Sequence, residues 1–341
     1  MNKANRHYRF AIIVPVYNVE KYIEEMINSL INQTFTDFAL FLVNDGSTDS
    51  CLYKINKYKK RDDRVFIINK KNEGPGSARN AGLDFIENNN IDCDYLWFCD
   101  SDDKVDLDAL DNVNKGLEKT NADYGLISVK RFDKHNIKLY PASIKNEKKM
   151  NNTDIVCQYF RFGLKWRKEP SSEAFLNNKF FKYEKVKNIR FREDIFRAED
   201  FDYFLRVIPL LESGLLLPNI FYWYRLRKSS LTNALKNSGD LKVCLEHYKK
   251  LGARSKIEQV AIQHKLIRAF YLEICDLWEL GDEKKINLML SKFSNFKFVY
   301  EYKLDDYKVI TLLKWLKILL PCFLKFRKCT KSIKSMESYF D

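Results

Sequence analysis

Five short apolar runs, separated by stretches with helical spacing, set the tightest limit on how this 341-residue chain can fold. Phe10 to Val14, Phe38 to Val43, Val65 to Ile68, Tyr95 to Cys99 and Tyr124 to Val129 read as strands buried on both faces. Between them, Tyr22, Ile23, Met26, Ile27, Leu30 and Ile31 recur at helical spacing. Ile55 and Tyr58 continue that pattern after the second run, and Ala78 to Ile86 and Leu107 to Leu117 repeat it later. Strand and helix in alternation predict an α/β protein with a mainly parallel sheet flanked by helices.

In such sheets ligands bind beyond the carboxyl ends of the strands. The polar clusters Tyr17-Asn18, Asn44-Asp45-Gly46, Lys70 to Gly76 and Asp100 to Asp103 all fall there, so four strand ends converge on one site. Asn146 to Asn152, rich in Lys and Asn, reads as a surface excursion before a mixed region that reaches about Asn233. From Gly239 onward the pattern is helical and strongly basic. In Val309 to Leu320, Leu312, Leu313, Leu316, Leu319 and Leu320 share one helical face, and Lys325, Arg327, Lys328, Lys331 and Lys334 follow Pro321. That tail suits adhesion to an anionic membrane surface, or a terminal helix packed on the core with a solvated basic end; the pattern leaves both open. Its apolar run is too short, and too rich in lysine, to cross a bilayer.

Charge limits the partners. The 59 Lys and Arg against 46 Asp and Glu give a net +13, which favours nucleotides, nucleic acid or acidic lipid without choosing among them. The eight cysteines contain no C-x-x-C pair and several lie in apolar runs, so they read as reduced and structural. Ala11 to Val14 is too short for a signal segment and is followed by Pro15 and Asn18, which predicts a cytoplasmic protein.

Three clusters carry the chemistry. A buried strand that runs into Asp100-Ser101-Asp102-Asp103 must neutralise its carboxylates, and a divalent cation carrying a phosphorylated ligand does so. A helical-hand calcium loop is excluded, because Lys104 and Val105 stand where a ligand and a glycine belong. By itself the D-x-D triplet is equally a helix start capped by Asp103 or a neighbour. In Val43 to Asp49, Asp45 can accept hydrogen bonds from a nucleobase edge and Gly46 permits the turn, while Ser47, Thr48 or Asp49 serves as N-cap. Asn72 to Gly82 is a glycine-bearing loop feeding a helix whose first amides favour negative charge. It has neither the spacing of a dinucleotide fingerprint nor the Gly-Lys-Ser/Thr of a phosphate loop.

In this order and spacing, Ile13 to Asn18, Asn44 to Asp49, Asn72 to Gly82 and Asp100 to Asp103 resemble the family 2 glycosyltransferases of bacteria. The resemblance implies a GT-A fold with a C-terminal helical extension, a UDP-sugar donor, Mn²⁺ or Mg²⁺, and inversion at the anomeric carbon. It implies a transferase domain over residues 1–235, with donor binding in 1–130 and the acceptor and catalytic part in 131–235. Residues 236–341 form the helical basic region. Asp45 resembles the uracil-recognising carboxylate, with Pro15, Val16, Tyr17 and Glu20 completing the nucleoside pocket; Asn72 and Arg79 resemble donor contacts. Asp100 would face the ribose or sugar and Asp102 the metal. The pair Glu199-Asp200 resembles the family's source of the general base, with Asp200 in that role. Tyr222 to Thr232 resembles the segment Y-x-Y-R-x-R-x-x-S-x-T, from which Arg227 would reach the diphosphate; the metal-binding His of some relatives is missing there. Asn178-Lys179-Phe180-Phe181 echoes a further segment, without the Trp that often precedes it.

The function expected is transfer of a hexose or N-acetylhexosamine to a hydroxyl of a bacterial surface glycan or glycolipid, such as lipooligosaccharide or capsule, on the inner face of the cytoplasmic membrane. A nucleotidyltransferase that makes sugar nucleotides is the alternative enzyme, but it wants a glycine-rich loop with Arg and Lys where Val16 to Glu20 stand. A basic nucleic-acid or membrane-binding module is the non-enzymatic alternative. Its basic residues form no known reading motif, so no nucleic-acid partner is expected.

Overall fold

The structure, a computed structural model, describes residues 6–133, 137–140, 146–160, 176–195, 198–227 and 282–294, with isolated helical positions between 243 and 277. The chain divides into two compact units, Met1–Leu235 with Ala253–Ala261 and Lys236–Gly252 with Ile262–Asp341.

In the first unit the expected alternation is present. The elements are β1 (His7–Val16), α1 (Ile23–Ile31), β2 (Phe38–Asp45), α2 (Cys51–Lys59), β3 (Val65–Lys70), α3 (Pro75–Asn88), β4 (Asp92–Phe98), β5 (Lys104–Val105) and α4 (Ala109–Thr120). They continue as β6 (Tyr124–Phe132), β7 (Ile137–Tyr140), β8 (Lys148–Asn151), α5 (Asn152–Phe160), β9 (Lys179–Lys182), α6 (Tyr183–Val186), α7 (Glu199–Val207) and β10 (Ser213–Arg225). The sheet runs β3-β2-β1-β4-β9-β6-β10-β5, with β7 on β6 and β8 on β10. Neighbours β3, β2, β1 and β4 are parallel, as are β6 and β10, while β9 lies antiparallel between β4 and β6. Chain order reverses about β1, which has β2 on one side and β4 on the other, so the loops after β1 and β4 part there and open a crevice.

Side-chain alternation along the strands builds two buried layers. Phe10, Ile12, Val14, Leu40, Leu42, Tyr95 and Trp97 share a cluster with Ile23, Met26, Ile27 and Leu30 of α1, Ile55 of α2, and Leu110, Val113 and Leu117 of α4. Each such aliphatic side chain contributes roughly 1.5–3 kcal/mol on burial. On the opposite face α3 lies close against β1. A Cβ on Gly82 would stand 2.7 Å from Ile13 Cγ2, so only glycine allows that approach. Phe98 there meets Phe191 and Tyr203 edge-on at 5.2 and 5.5 Å, which docks α7 against the end of β4.

Strand β10 is interrupted where Leu217 and Phe221 shift register against β6, and Pro218, which cannot donate to a ladder, falls in that irregularity. In the second unit, the helix Glu283–Ser294 buries Ile286, Leu290 and Phe293, and Asp282 accepts the Lys285 N–H at its start. Among the described residues no helix is long and apolar enough to cross a membrane. The helix expected over 309–320, the basic tail beyond it and Ser229 to Thr232 lie outside the described residues, as do the 161–175 positions. Three of the cysteines, Cys51, Cys93 and Cys99, are described as free and buried.

Candidate active site

The first two strand ends are laced together. Asn18, at φ 49°, accepts the Thr48 N–H through Oδ1 at 2.8 Å, and Ser47 Oγ donates to the Val16 carbonyl at 3.2 Å. Glu20 accepts the Ser50 N–H at 3.0 Å, which with burial opposing holds its carboxyl below the ordinary value. Asp49 accepts the Cys51 N–H at 3.0 Å and so satisfies an amide at the start of α2 from just outside the helix. Val16 is buried, Pro15 half-buried, and Tyr17 is 48% exposed, its ring open at the crevice.

Asp45 is buried and fully engaged with the third loop. Its Oδ1 accepts from Lys70 Nζ at 2.9 Å and the Glu73 N–H at 3.1 Å, and its Oδ2 accepts the Gly74 N–H at 2.9 Å. Gly46 follows at φ +69°, with Asn72 N so near that a Cβ on Gly46 would stand 2.7 Å from it. Asn72 itself is exposed. Pro75 then begins α3, where its missing N–H costs nothing.

Arg79, in the first turns of α3, is the hub of the site. Its side chain is 4% exposed, and its Nη1 donates to Glu199 Oε1 at 3.1 Å and Asp200 Oδ1 at 2.9 Å, its Nη2 to Asp100 Oδ1 at 3.0 Å. Burial works against its charge, and Asp200, Asp100 and Glu199 more than offset that, holding its pKa above the ordinary value. Asn80 fixes the neighbouring chain by donating to the Phe191 carbonyl and accepting the Phe191 N–H, and the Phe191 ring stacks on Tyr203 at 4.2 Å.

Asp200 lies deep but reachable, with 32% of its side chain exposed. Burial pushes its carboxyl up to about 7; Arg79 opposes the rise, Glu199 and Asp100 add to it, and Lys179 lowers it. Ala198, just before the pair, adopts φ 60°, a left-handed conformation that costs a non-glycine residue roughly 1–2 kcal/mol. Strain of that kind concentrates where a backbone must aim functional groups.

At the end of β4 the acidic residues separate into different tasks. Asp100 Oδ2 accepts from Asn177 Nδ2 at 3.0 Å, and its N–H donates to Tyr222 Oη at 2.9 Å. Asp102 Oδ2 lies 2.5 Å from Arg227 Nε; burial raises its carboxyl, Arg227 opposes and Asp100 adds. Asp103 is not a helix cap. Helix α4 starts at Ala109 after Asp108, and Asp103 is instead fully buried, accepting the Arg225 N–H at 2.7 Å. Burial, with Asp102 and Asp100 adding, holds its carboxyl well above the ordinary value. Of the two alternating arginines, Arg225 turns to Glu25 of α1 and to the Asp102 carbonyl, while Arg227 turns to Asp102.

The structure therefore brings Arg79, Asp100 and Asp200 together, and separately Asp102 with Arg227. Glu199, the other half of the acidic pair, joins them, and so does Asn177, which carries no signal of its own; Asn177 sits one residue before the Asn178 to Phe181 segment and also accepts the Trp97 indole N–H through its carbonyl at 2.7 Å. Among the described residues no three His, Cys, Asp or Glu side chains cluster as a metal cage. A hard divalent cation still fits: burial holds the half-buried Asp102 carboxyl above its ordinary value despite Arg227, and such ions accept phosphate and water oxygens for most of their shell.

This architecture is the GT-A fold. The pattern of glycosyl transferase family 2 matches residues 11–193, more than half of the chain, and the protein belongs to that family. The glycosyltransferase GlyA of Streptococcus pneumoniae is 30% identical over 230 residues, 66% of this chain and 31% of that protein. The poly(ribitol-phosphate) beta-N-acetylglucosaminyltransferase TarS of Staphylococcus aureus is 36% identical over 125 residues, 36% of this chain and 21% of TarS. The chain thus spans less than a third of the length of either. A structure of TarS 1-349 in complex with UDP-GlcNAc matches at a TM-score of 0.64 and 20% identity, over 83% of this chain and 80% of that one. The mannosyltransferase PcManGT of Pyrobaculum calidifontis, in complex with GDP-Man and Mn²⁺, matches at 0.53 and 15% identity, over 92% and 82%.

Proposed function

We propose that this protein transfers a hexose or N-acetylhexosamine, with inversion, from a UDP-sugar to a hydroxyl of a bacterial surface glycan. The observation that carries the reading is the meeting, across Arg79, of Asp100 from the end of a donor-side strand and Asp200 from α7. Inverting transfer needs a carboxylate able to accept a proton near neutrality, and the raised Asp200 carboxyl has that character. The acceptor oxygen bonds to the anomeric carbon, the bond from that carbon to the diphosphate breaks, and Asp200 takes the hydroxyl proton. Tyr17 offers a face for the uracil, with Pro15, Val16, Glu20 and Asp45 around it; Asn72 and Asp100 address the donor, and Arg227 its diphosphate. Asp102 would hold Mn²⁺ or Mg²⁺, which when bound supplies positive charge to the departing nucleotide.

The likeness to a UDP-GlcNAc complex supports UDP as the nucleotide, and the relatives' polymer substrates support a surface acceptor. UDP release measured with a panel of UDP-sugars, Mn²⁺ and glycan acceptors tests the reading. Asp200→Asn should lower transfer by about 10²–10⁴-fold while leaving UDP binding intact. Full activity in that variant would remove Asp200 from the role of base.

A further inference from the structure

Arg79 is committed to its own protein in a way a donor ligand is not. Both of its terminal nitrogens are taken by carboxylates from two separate elements, it is 4% exposed, and its Nε is buried without a partner. A diphosphate reaching this guanidinium would have to displace Asp100, Glu199 or Asp200. Each would then stand close to the others with less compensation.

From this geometry we infer that Arg79 is the positioning residue of the base: it clamps Asp200 and Glu199 to Asp100, fixing the proton-accepting carboxylate against the donor-side strand, and takes no part in holding the diphosphate. Three carboxylates converge on one guanidinium. The planar fork suits this, because its Nη1 and Nη2 point to different partners at fixed angles, which an ammonium on a flexible stem does not reproduce. The clamp is itself braced. Asn80, the next residue, is tied twice to the Phe191 backbone, and the Phe191 ring lies 5.3 Å from the guanidinium. On the far side Asn177 holds the other oxygen of Asp100.

The charged groups that face Asp200 are Arg79 of α3, Asp100 after β4, Glu199 of α7 and Lys179 of β9. Without Arg79, burial, Glu199 and Asp100 all push the proton onto Asp200, and Lys179 alone opposes them. An opposite charge at this distance lowers a carboxyl pKa by about 1–3 units, so its removal moves Asp200 upward by a similar amount. The identification of Asp200 as base rests on the proposed function; the clamp does not, and the two are tested apart.

The experiment titrates the carboxyl of Asp200 by ¹³C NMR of aspartate-labelled protein, with Asp200→Asn to assign the resonance, in wild type, Arg79→Gln and Arg79→Lys. UDP affinity is measured on the same samples by calorimetry. The expected result is an Asp200 midpoint raised by about 1–3 pH units in Arg79→Gln and by less in Arg79→Lys. UDP affinity should stay within about twofold of wild type in both, since a group that does not touch the diphosphate removes little binding when lost. An unmoved midpoint in either folded variant overturns the clamp, and a tenfold or greater loss of UDP affinity in either, whatever the midpoint does, overturns the statement that Arg79 takes no part in holding the diphosphate. If Arg79→Gln does not fold, Arg79→Lys decides by the same two readings. If transferase activity is absent from the wild type while the midpoint moves as stated, the proposed function fails and the clamp stands.

Discussion

Replacing Gly46 by alanine should loosen the loop on which the proposed nucleotide pocket depends. Its φ of +69° makes any Cβ unfavourable by roughly 1–2 kcal/mol. The added Cβ would also lie 2.7 Å from Asn72 N, a backbone atom that cannot rotate away, and 3.3 Å from Asn72 Cβ, an overpacking that costs about 1–3 kcal/mol. Reduced freedom in the unfolded chain returns only about 0.4–1 kcal/mol. The net loss is about 1–4.6 kcal/mol, which in a unit of this size lowers Tm by roughly 2–18 °C. Because Asp45 precedes Gly46 and accepts the Glu73 and Gly74 amides, displacement of Asn72 must stretch those bonds. Thermal unfolding reads the first effect, and hydrogen exchange at the Glu73 and Gly74 amides reads the second. Asn72→Gly in the same background should rescue little, since the closest contact is with backbone. A Gly46→Ala protein with unchanged Tm and unchanged amide protection would refute both parts of the reasoning.

Two other outcomes follow from the charges in the site. With the Asp200 carboxyl pushed up to about 7, kcat/KM should fall about tenfold per unit below that pH, because the base must be ionised. Stability runs the other way. Asp200 keeps its proton to a higher pH folded than unfolded, so its stabilising contribution is full below about 4 and is lost as pH rises through about 7. Asp200→Asn should abolish that part of the pH dependence of Tm, and a variant curve parallel to wild type between those limits would contradict the assignment. At Asp102, Arg227→Gln should strengthen binding of Mn²⁺ alone by about fivefold, if the pair is worth about 1 kcal/mol, because the guanidinium no longer competes for the carboxylate. Electron paramagnetic resonance of free Mn²⁺ measures this, and weaker or equal binding would count against competition at Asp102.

The parts of the fold that could be read along the chain are those whose signal is local. Strands β1 to β4 announce themselves as apolar runs ending abruptly in polar residues, and Pro75 marks the start of α3. Strand β9 gives no such signal. It is short, and Asn178 and Lys179 are fully buried although their types suggest a turn; Asn178 earns its place by donating to the Ile127 carbonyl. The acidic run after β4 suggests separate tasks for Asp100 and Asp102 through the family resemblance, but local spacing misplaces Asp103 as a helix cap. Asp103 is adjacent to Asp102 in sequence, yet one carboxyl is sealed against the Arg225 amide and the other faces Arg227, because the short strand β5 turns the chain onto β10 between them and α4. Nor could spacing reveal Arg79 with Asp200. They are 121 residues apart, and they meet because Asn80 and the Phe98, Phe191 and Tyr203 rings bring α3, the 191 segment and α7 to one strand end.

The charge around that strand end also bears on the proposed cation. Among the described residues, Asp100, Asp102, Glu199 and Asp200 gather about two guanidinium groups, Arg79 and Arg227, while Asp103 is held toward its neutral form. A chain with a formal charge of +13 thus keeps a locally acidic pocket. A diphosphate entering it meets carboxylates whose own partners are already engaged, and charges so near each other in a partly dry site repel strongly. Arg225 brings no relief, being turned toward Glu25. If Arg79 stays with its three carboxylates, Arg227 is left to choose between Asp102 and the diphosphate, and a divalent ion held by Asp102 would supply the missing positive charge. Metal dependence would then follow from how these arginines are spent, and it should weaken in Asp102→Asn combined with intact Arg227, where the guanidinium is released to the diphosphate without any ion. UDP titrations with and without Mn²⁺ measure that: the affinity gained from Mn²⁺ should shrink in Asp102→Asn relative to wild type, and an undiminished gain would place the cation on other ligands.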